Sequence, residues 1–125
     1  MSTIGHPLSD LANITMPFVI AEGGPKPQKE FIPGQMASGM PTKREVVEWY
    51  AEVAGWDPRP EMKWGEAFGM FRNACIMQGI AARYALRQAS SAKAKDYAAQ
   101  MEPFGQFCYT LIVKAQKEAG AKAKL

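Results

Sequence analysis

The stretch from Met62 to Gln88 most narrows the folds open to this chain. It contains no proline, and its interior, WGEAFGMFRNACIMQGIAARYAL, carries only Glu66, Arg72 and Arg83 as charges. A run of that length is too long for one strand. It predicts a helix that is apolar nearly all round, and so one that is central and packed on several sides. Gly65, Gly69 and Gly79 each cost about 1 kcal/mol relative to Ala in a helix interior. They predict close approach of neighbouring elements.

The remaining segments follow from local signals. Residues 8–20, LSDLANITMPFVI, predict a helix with Leu8, Leu11 and Ile14 on its apolar face and Pro17 at its end. Residues 23–41 hold four Gly and four Pro and predict a long loop. Thr42 with Glu45 is a capping box, so a second helix starts there, with Val46, Trp49, Tyr50 and Val53 on one face and Gly55 as its stop. WDPRP (56–60) reads as a turn. Ser90 or Ser91 caps a last helix, which Pro103 should kink or split and Gly120 should end, leaving a flexible tail at 120–125. No stretch alternates with period two, so the fold class is all-α, with residues 1–125 forming one domain or part of one.

With 47% apolar and 22% charged residues the composition is globular rather than disordered. No apolar run spans a membrane, and the N-terminus lacks the basic start and apolar core of a secretory signal. Charge is uneven: residues 1–82 carry 7 basic and 9 acidic side chains, residues 83–125 carry 8 and 3. The basic half reads either as a surface for an acidic partner or as a solvated helix face. No helix-turn-helix, zinc-finger or aromatic RNA-binding signature points to nucleic acid. Cys75 and Cys108 fall in apolar helical patterns and read as buried free thiols. Together with His6, the single histidine, they are too few and too scattered for a zinc site.

The chain shows no G-x-S-x-G, no Walker motif and no G-x-G-x-x-G. Pro25 removes a backbone donor that a phosphate cradle at Gly23-Gly24 would need. From its chemistry alone the chain reads as a helical module without an activity.

Four blocks in order carry a resemblance. They are Ser2-Thr3-Ile4-Gly5-His6-Pro7-Leu8-Ser9-Asp10-Leu11-Ala12-Asn13; Gly39-Met40-Pro41-Thr42 with Glu45 and Tyr50; FRNACIMQGIAAR from Phe71 to Arg83; and Ala89-Ser90-Ser91 with Met101-Glu102-Pro103. Together, over about residues 2–115, they resemble the aminoglycoside phosphotransferase family, in the subgroup found fused to or acting alongside acyl-CoA dehydrogenases. The resemblance implies the helical C-lobe portion of a protein-kinase-like fold, without the N-lobe. The full-length family uses ATP and magnesium to phosphorylate a small-molecule hydroxyl, and the resemblance to this subgroup implies one on a hydroxyacyl compound. Its nucleotide-binding lysine, H-G-D catalytic loop and I-D-W-E magnesium motif have no counterpart in these 125 residues. The implied chain is a phosphotransferase fragment, inactive alone, with no cofactor of its own. Its partner is a missing N-terminal half or a second copy of itself. The other reading is a stand-alone helical binding or scaffold module.

Under the resemblance Asp10 matches a structural brace of the catalytic loop; otherwise it is a carboxylate at a helix start. Arg72 and Arg83, eleven residues apart, share a helix face and read either as binders of an anionic acceptor or as partners of Asp10, Glu45 or Glu66. Trp64 and Phe68 line an acceptor pocket or pack in the core. Gln78 needs a partner if buried. His6 is expected in a turn. The final Ala123-Lys124-Leu125 matches a peroxisomal address of small, basic and leucine residues, the alternative location being the cytoplasm.

Overall fold

The computed structural model describes residues 5–122, the side chain of Lys122 excepted. Four helices form: α1 (Leu8–Ala21), α2 (Lys43–Ala54), α3 (Met62–Ala85) and α4 (Ala94–Lys122). A single 3-10 turn, Lys29–Phe31, interrupts the connection between α1 and α2. No strand occurs among the described residues, so the fold is all-α.

Local chemistry sets several boundaries. At the start of α2 the Thr42 N–H and hydroxyl each donate to Glu45 Oε2 at 2.7 Å, and the Glu45 N–H donates back to Thr42 Oγ1. Gly55 ends α2 in the left-handed region at φ 64°, where a side chain would be strained. At α1 the ring of His6 takes the capping role: its Nδ1 accepts the Leu8 N–H at 3.2 Å. The Ser91 hydroxyl accepts the Lys93 N–H just ahead of α4.

Two prolines do not act as expected. Pro17 lies inside α1 and Pro103 inside α4, and neither ends nor splits its helix. A proline removes one backbone donor and usually costs about 3 kcal/mol in a helix interior. Here the carbonyls left without a donor belong to Asn13 and Ala99, both on exposed residues where water can serve them. Continuing the helix keeps Thr15 and Met16, before Pro17, and Phe18 and Val19, after it, all buried. Gly120 likewise does not end α4, which runs on to Lys122 through residues of high helix propensity.

The core has two parts. Met16, Val19, Ala67, Met70, Phe104, Cys108 and Leu111 join α1, α3 and α4. Leu11, Val47 and Met62 join α1, α2 and α3, with Leu8, Val46 and Tyr50 packed around them. The apolar faces therefore differ from expectation. Ile14 is 62% exposed, because six residues turn a helix through about 240° from Leu8. In α2 the inward residues are Val46, Val47 and Tyr50, while Trp49 and Val53 face solvent.

The helix α3 is central in its first half only. A Cβ placed on Gly65 would meet the Leu8 side chain at 2.8 Å, and one on Gly69 would meet Met16 Cε at 2.5 Å. Those two glycines admit α1. Nothing lies within 4 Å of a Cβ on Gly79, so the third glycine serves no such contact. Beyond the crossing with α1, one side of α3 packs on antiparallel α4 and the other is open.

Candidate functional site

The one buried carboxylate of α3 is Glu66, 4% exposed. Lys43, the first residue of α2, reaches it at 3.1 Å and reaches Glu22 at 2.8 Å. Burial alone would lower the Lys43 ammonium, but the hydrogen bond it donates to Glu22 and the fields of both carboxylates outweigh it and hold the group above its ordinary 10.5. The cluster ties the ends of α1 and α2 to α3. It is a fully paired ionic clamp, and no buried side-chain nitrogen or oxygen among the described residues lacks a partner. The sequence singles out Glu66 as a charge in an apolar helix but gives no hint of Lys43 as its partner.

Three surface depressions take up the residues singled out in the sequence. The first, of about 440 Å³, is lined by His6, Leu8, Ser9, Trp64 and Phe68. Trp64 and Phe68 are 45% and 53% exposed, so they line an open, largely apolar groove and do not pack in the core. His6 stands at its rim in a turn, edge-on to Trp56 and 3.9 Å from Glu61. The second, of about 310 Å³, runs between α3 and α4, with Phe71, Cys75 and Gln78 on one wall and Met101, Tyr109 and Ile112 on the other. Gln78 is exposed there and needs no buried partner. The third, of about 240 Å³, lies at the α3–α4 connection and is the most polar of these three, with Arg83, Gln88, Ser90, Ser91 and Tyr97 around it.

The two arginines do not form the expected ion pairs. Arg72 donates to Asn13 Oδ1 at 2.6 Å, and Arg83 Nε donates to its own helix at the Gly79 carbonyl. Glu66 and Glu45 are taken by Lys43 and by the Thr42 cap, so neither is available to an arginine. Arg72 and Arg83 do share a face of α3, but about 16 Å apart along its axis. They cannot grip one small anion together. Asp10 is exposed in the first turn of α1. The candidate residues are thus spread over the length of α3, and the structure does not gather them into one site.

The cysteines depart from expectation in one respect. Cys108 is buried, and desolvation, with Cys75 nearby, raises its thiol above the ordinary 9.0. Cys75 is exposed, on the α3 wall of the depression between α3 and α4. Among the described residues no three His, Cys, Asp or Glu side chains are gathered as a metal would require, and no helix is long and apolar enough to cross a membrane. Ala123, Lys124 and Leu125 lie outside the described residues.

No protein-family model matches the chain, and no solved structure matches it. Curated relatives do. The chain is 29% identical over its whole length to acyl-CoA dehydrogenase family member 11 of Rattus norvegicus. It is 30% identical over 85% of its length to the protein of that name in Homo sapiens, and 32% identical over 73% of its length to that of Mus musculus. It spans only 12 to 17% of the length of these relatives. The chain is therefore similar, from end to end, to one short segment of a much longer protein, acyl-CoA dehydrogenase family member 11.

Proposed function

We propose that this chain is the acceptor-side helical portion of a kinase-like phosphotransferase domain of the aminoglycoside phosphotransferase type, and that it is inactive by itself. The observation that carries the reading is the similarity along the whole chain to acyl-CoA dehydrogenase family member 11. The ordered blocks, above all Phe71–Arg83, resemble the phosphotransferase subgroup allied with the same class of enzyme. Phosphoryl transfer depends on carboxylates that hold magnesium and orient the acceptor hydroxyl. The H-G-D and I-D-W-E motifs that would supply them do not occur in this sequence. What the chain offers is surface for an acceptor: the apolar groove at Trp64 and Phe68 suits an acyl chain, and a hydroxyacyl compound is the proposed acceptor class.

Isothermal titration with magnesium–ATP should show no binding. Transfer of the γ-phosphate should appear only when a polypeptide bearing the nucleotide lobe and both motifs is added. Micromolar ATP affinity or transfer by the chain alone would sink the reading. A second reading, a stand-alone binding module, is favoured by the two closed cores and the fully paired Lys43–Glu66 clamp. Tight binding of a hydroxyacyl thioester by the isolated chain would support that one. The terminal Ala123-Lys124-Leu125 is proposed as a peroxisomal address in either case.

A further inference from the structure

We infer that the open stripe of α3 is the interface of a symmetric, antiparallel dimer of this chain, with the Cys75 side chains of the two copies meeting on the two-fold axis. The stripe is set by spacing. Trp64, Phe68, Phe71, Cys75, Gln78 and Ala82 follow one another in steps of four and three, the 3.5-residue repeat that keeps a seam facing a partner helix. Every one of them is exposed, while Glu66 and Met70 occupy the opposite side of the helix. No charged residue falls on the seam.

The order of sizes selects the antiparallel arrangement. Trp64, Phe68 and Phe71 make the first half of the stripe bulky; Gly79, Ala82 and Ala85 make the second half small. A two-fold axis through Cys75 sets Phe68 over Ala82 of the second copy and Phe71 over its Gly79, large against small, with Trp64 over Leu86 at each end. A parallel pair would stack Phe68 on Phe68 and leave Ala82 facing Ala82 across a gap, which close packing disfavours. Gly79, which no element of its own chain approaches, is then the place where a ring from the second copy fits.

The area is that of an interface. Trp64, Phe68, Phe71, Leu86 and Tyr109 are 45 to 67% exposed. For side chains of roughly 150–250 Å² each, that leaves on the order of 550 Å² of mostly apolar surface. A stable interface removes about 800 Å² from each partner, and the small residues and flanks of the stripe supply the remainder. So large an apolar patch is at the upper end of what monomers expose. The inference does not rest on the phosphotransferase reading, and it competes with the acyl-chain use of the groove at Trp64 and Phe68, which the dimer covers.

Light scattering on the full chain tests it: the expected mass is twice 13.7 kDa. Phe68→Asp puts a charge on the seam without touching either core, and should give a monomer of unchanged helicity by circular dichroism. Copper–phenanthroline takes two electrons and two protons from facing thiols; it should join wild-type chains through a disulfide but not Cys75→Ser, which should still have the mass of the dimer. In a Cys75→Ser background, Phe68→Cys and Ala82→Cys chains should cross-link when mixed and not when alone. A wild-type monomer, with the stripe left for some other protein, would overturn the inference. So would a dimer whose mass is unaffected by Phe68→Asp, or cross-linking of Phe68→Cys chains with one another.

Discussion

Lys43 Nζ lies 3.1 Å from Oε1 of Glu66, whose carboxylate is the buried charge of α3. Removing the lysine leaves that charge without its cation. A fully buried pair broken in this way costs roughly 3–5 kcal/mol, and the partial exposure of Lys43 brings the expectation for Lys43→Met to about 2 kcal/mol. Lys43→Met/Glu66→Met should recover most of the loss, since apolar side chains replace a buried pair well. Urea denaturation of the three proteins measures the cycle. The raised Lys43 gives a further sign: its contribution is complete below pH 10.5 and is lost as pH rises through its higher folded value.

Acid should loosen the start of α2. The backbone N–H of Thr42, then its hydroxyl, hold the Glu45 carboxyl below its ordinary 4.5. Stability from this cap is therefore present above pH 4.5 and is lost as pH falls through the lower folded value. Thr42→Ala should cost about 1 kcal/mol at neutral pH, the usual worth of an N-cap hydroxyl. Its thermal midpoint should also fall less steeply than that of the wild type between neutral and strongly acid pH. Parallel slopes for the two proteins would refute this account of the cap.

Two large side chains of α3 should respond unequally to truncation. Met70 is fully buried in the core joining α1, α3 and α4, so Met70→Ala should destabilise by about 2–5 kcal/mol. Trp64 is 45% exposed on the open side, and Trp64→Ala should cost markedly less stability of the folded chain. Chemical denaturation at low protein concentration, which minimises any contribution from association, compares them. Equal losses would place Trp64 in the core.

A fluorescent protein joined to the N-terminus leaves Ala123-Lys124-Leu125 free. Punctate fluorescence coincident with peroxisomes is the expected outcome, and deletion of Leu125 should disperse it. Diffuse signal with the tail intact would reject the address.

What the sequence alone determined is what short-range chemistry decides. The Thr42–Glu45 box and the left-handed Gly55 bound α2 through atoms at most a few residues apart. The sparsely charged, proline-free run made α3. Helical class follows from such terms, which is why it was legible. Which face each helix buries was legible only in part: Leu11, Val46 and Tyr50 face inward as expected, but Ile14, Trp49 and Val53 do not, because that depends on what lies opposite. Val47 turns inward because α1 and α2 meet beside the start of α3, and Pro17 is carried through α1 by burial on both sides. Lys43 and Glu66 stand 23 residues apart and meet only through the packing of α2 near α3. The same packing decided the fate of the candidate residues: α1 and α4 cover other sides of α3, so Phe71, Cys75 and Gln78 face outward, although nothing in their local sequence distinguishes them from core. Burial is a property of two surfaces, and a sequence read along one chain presents only one of them at a time.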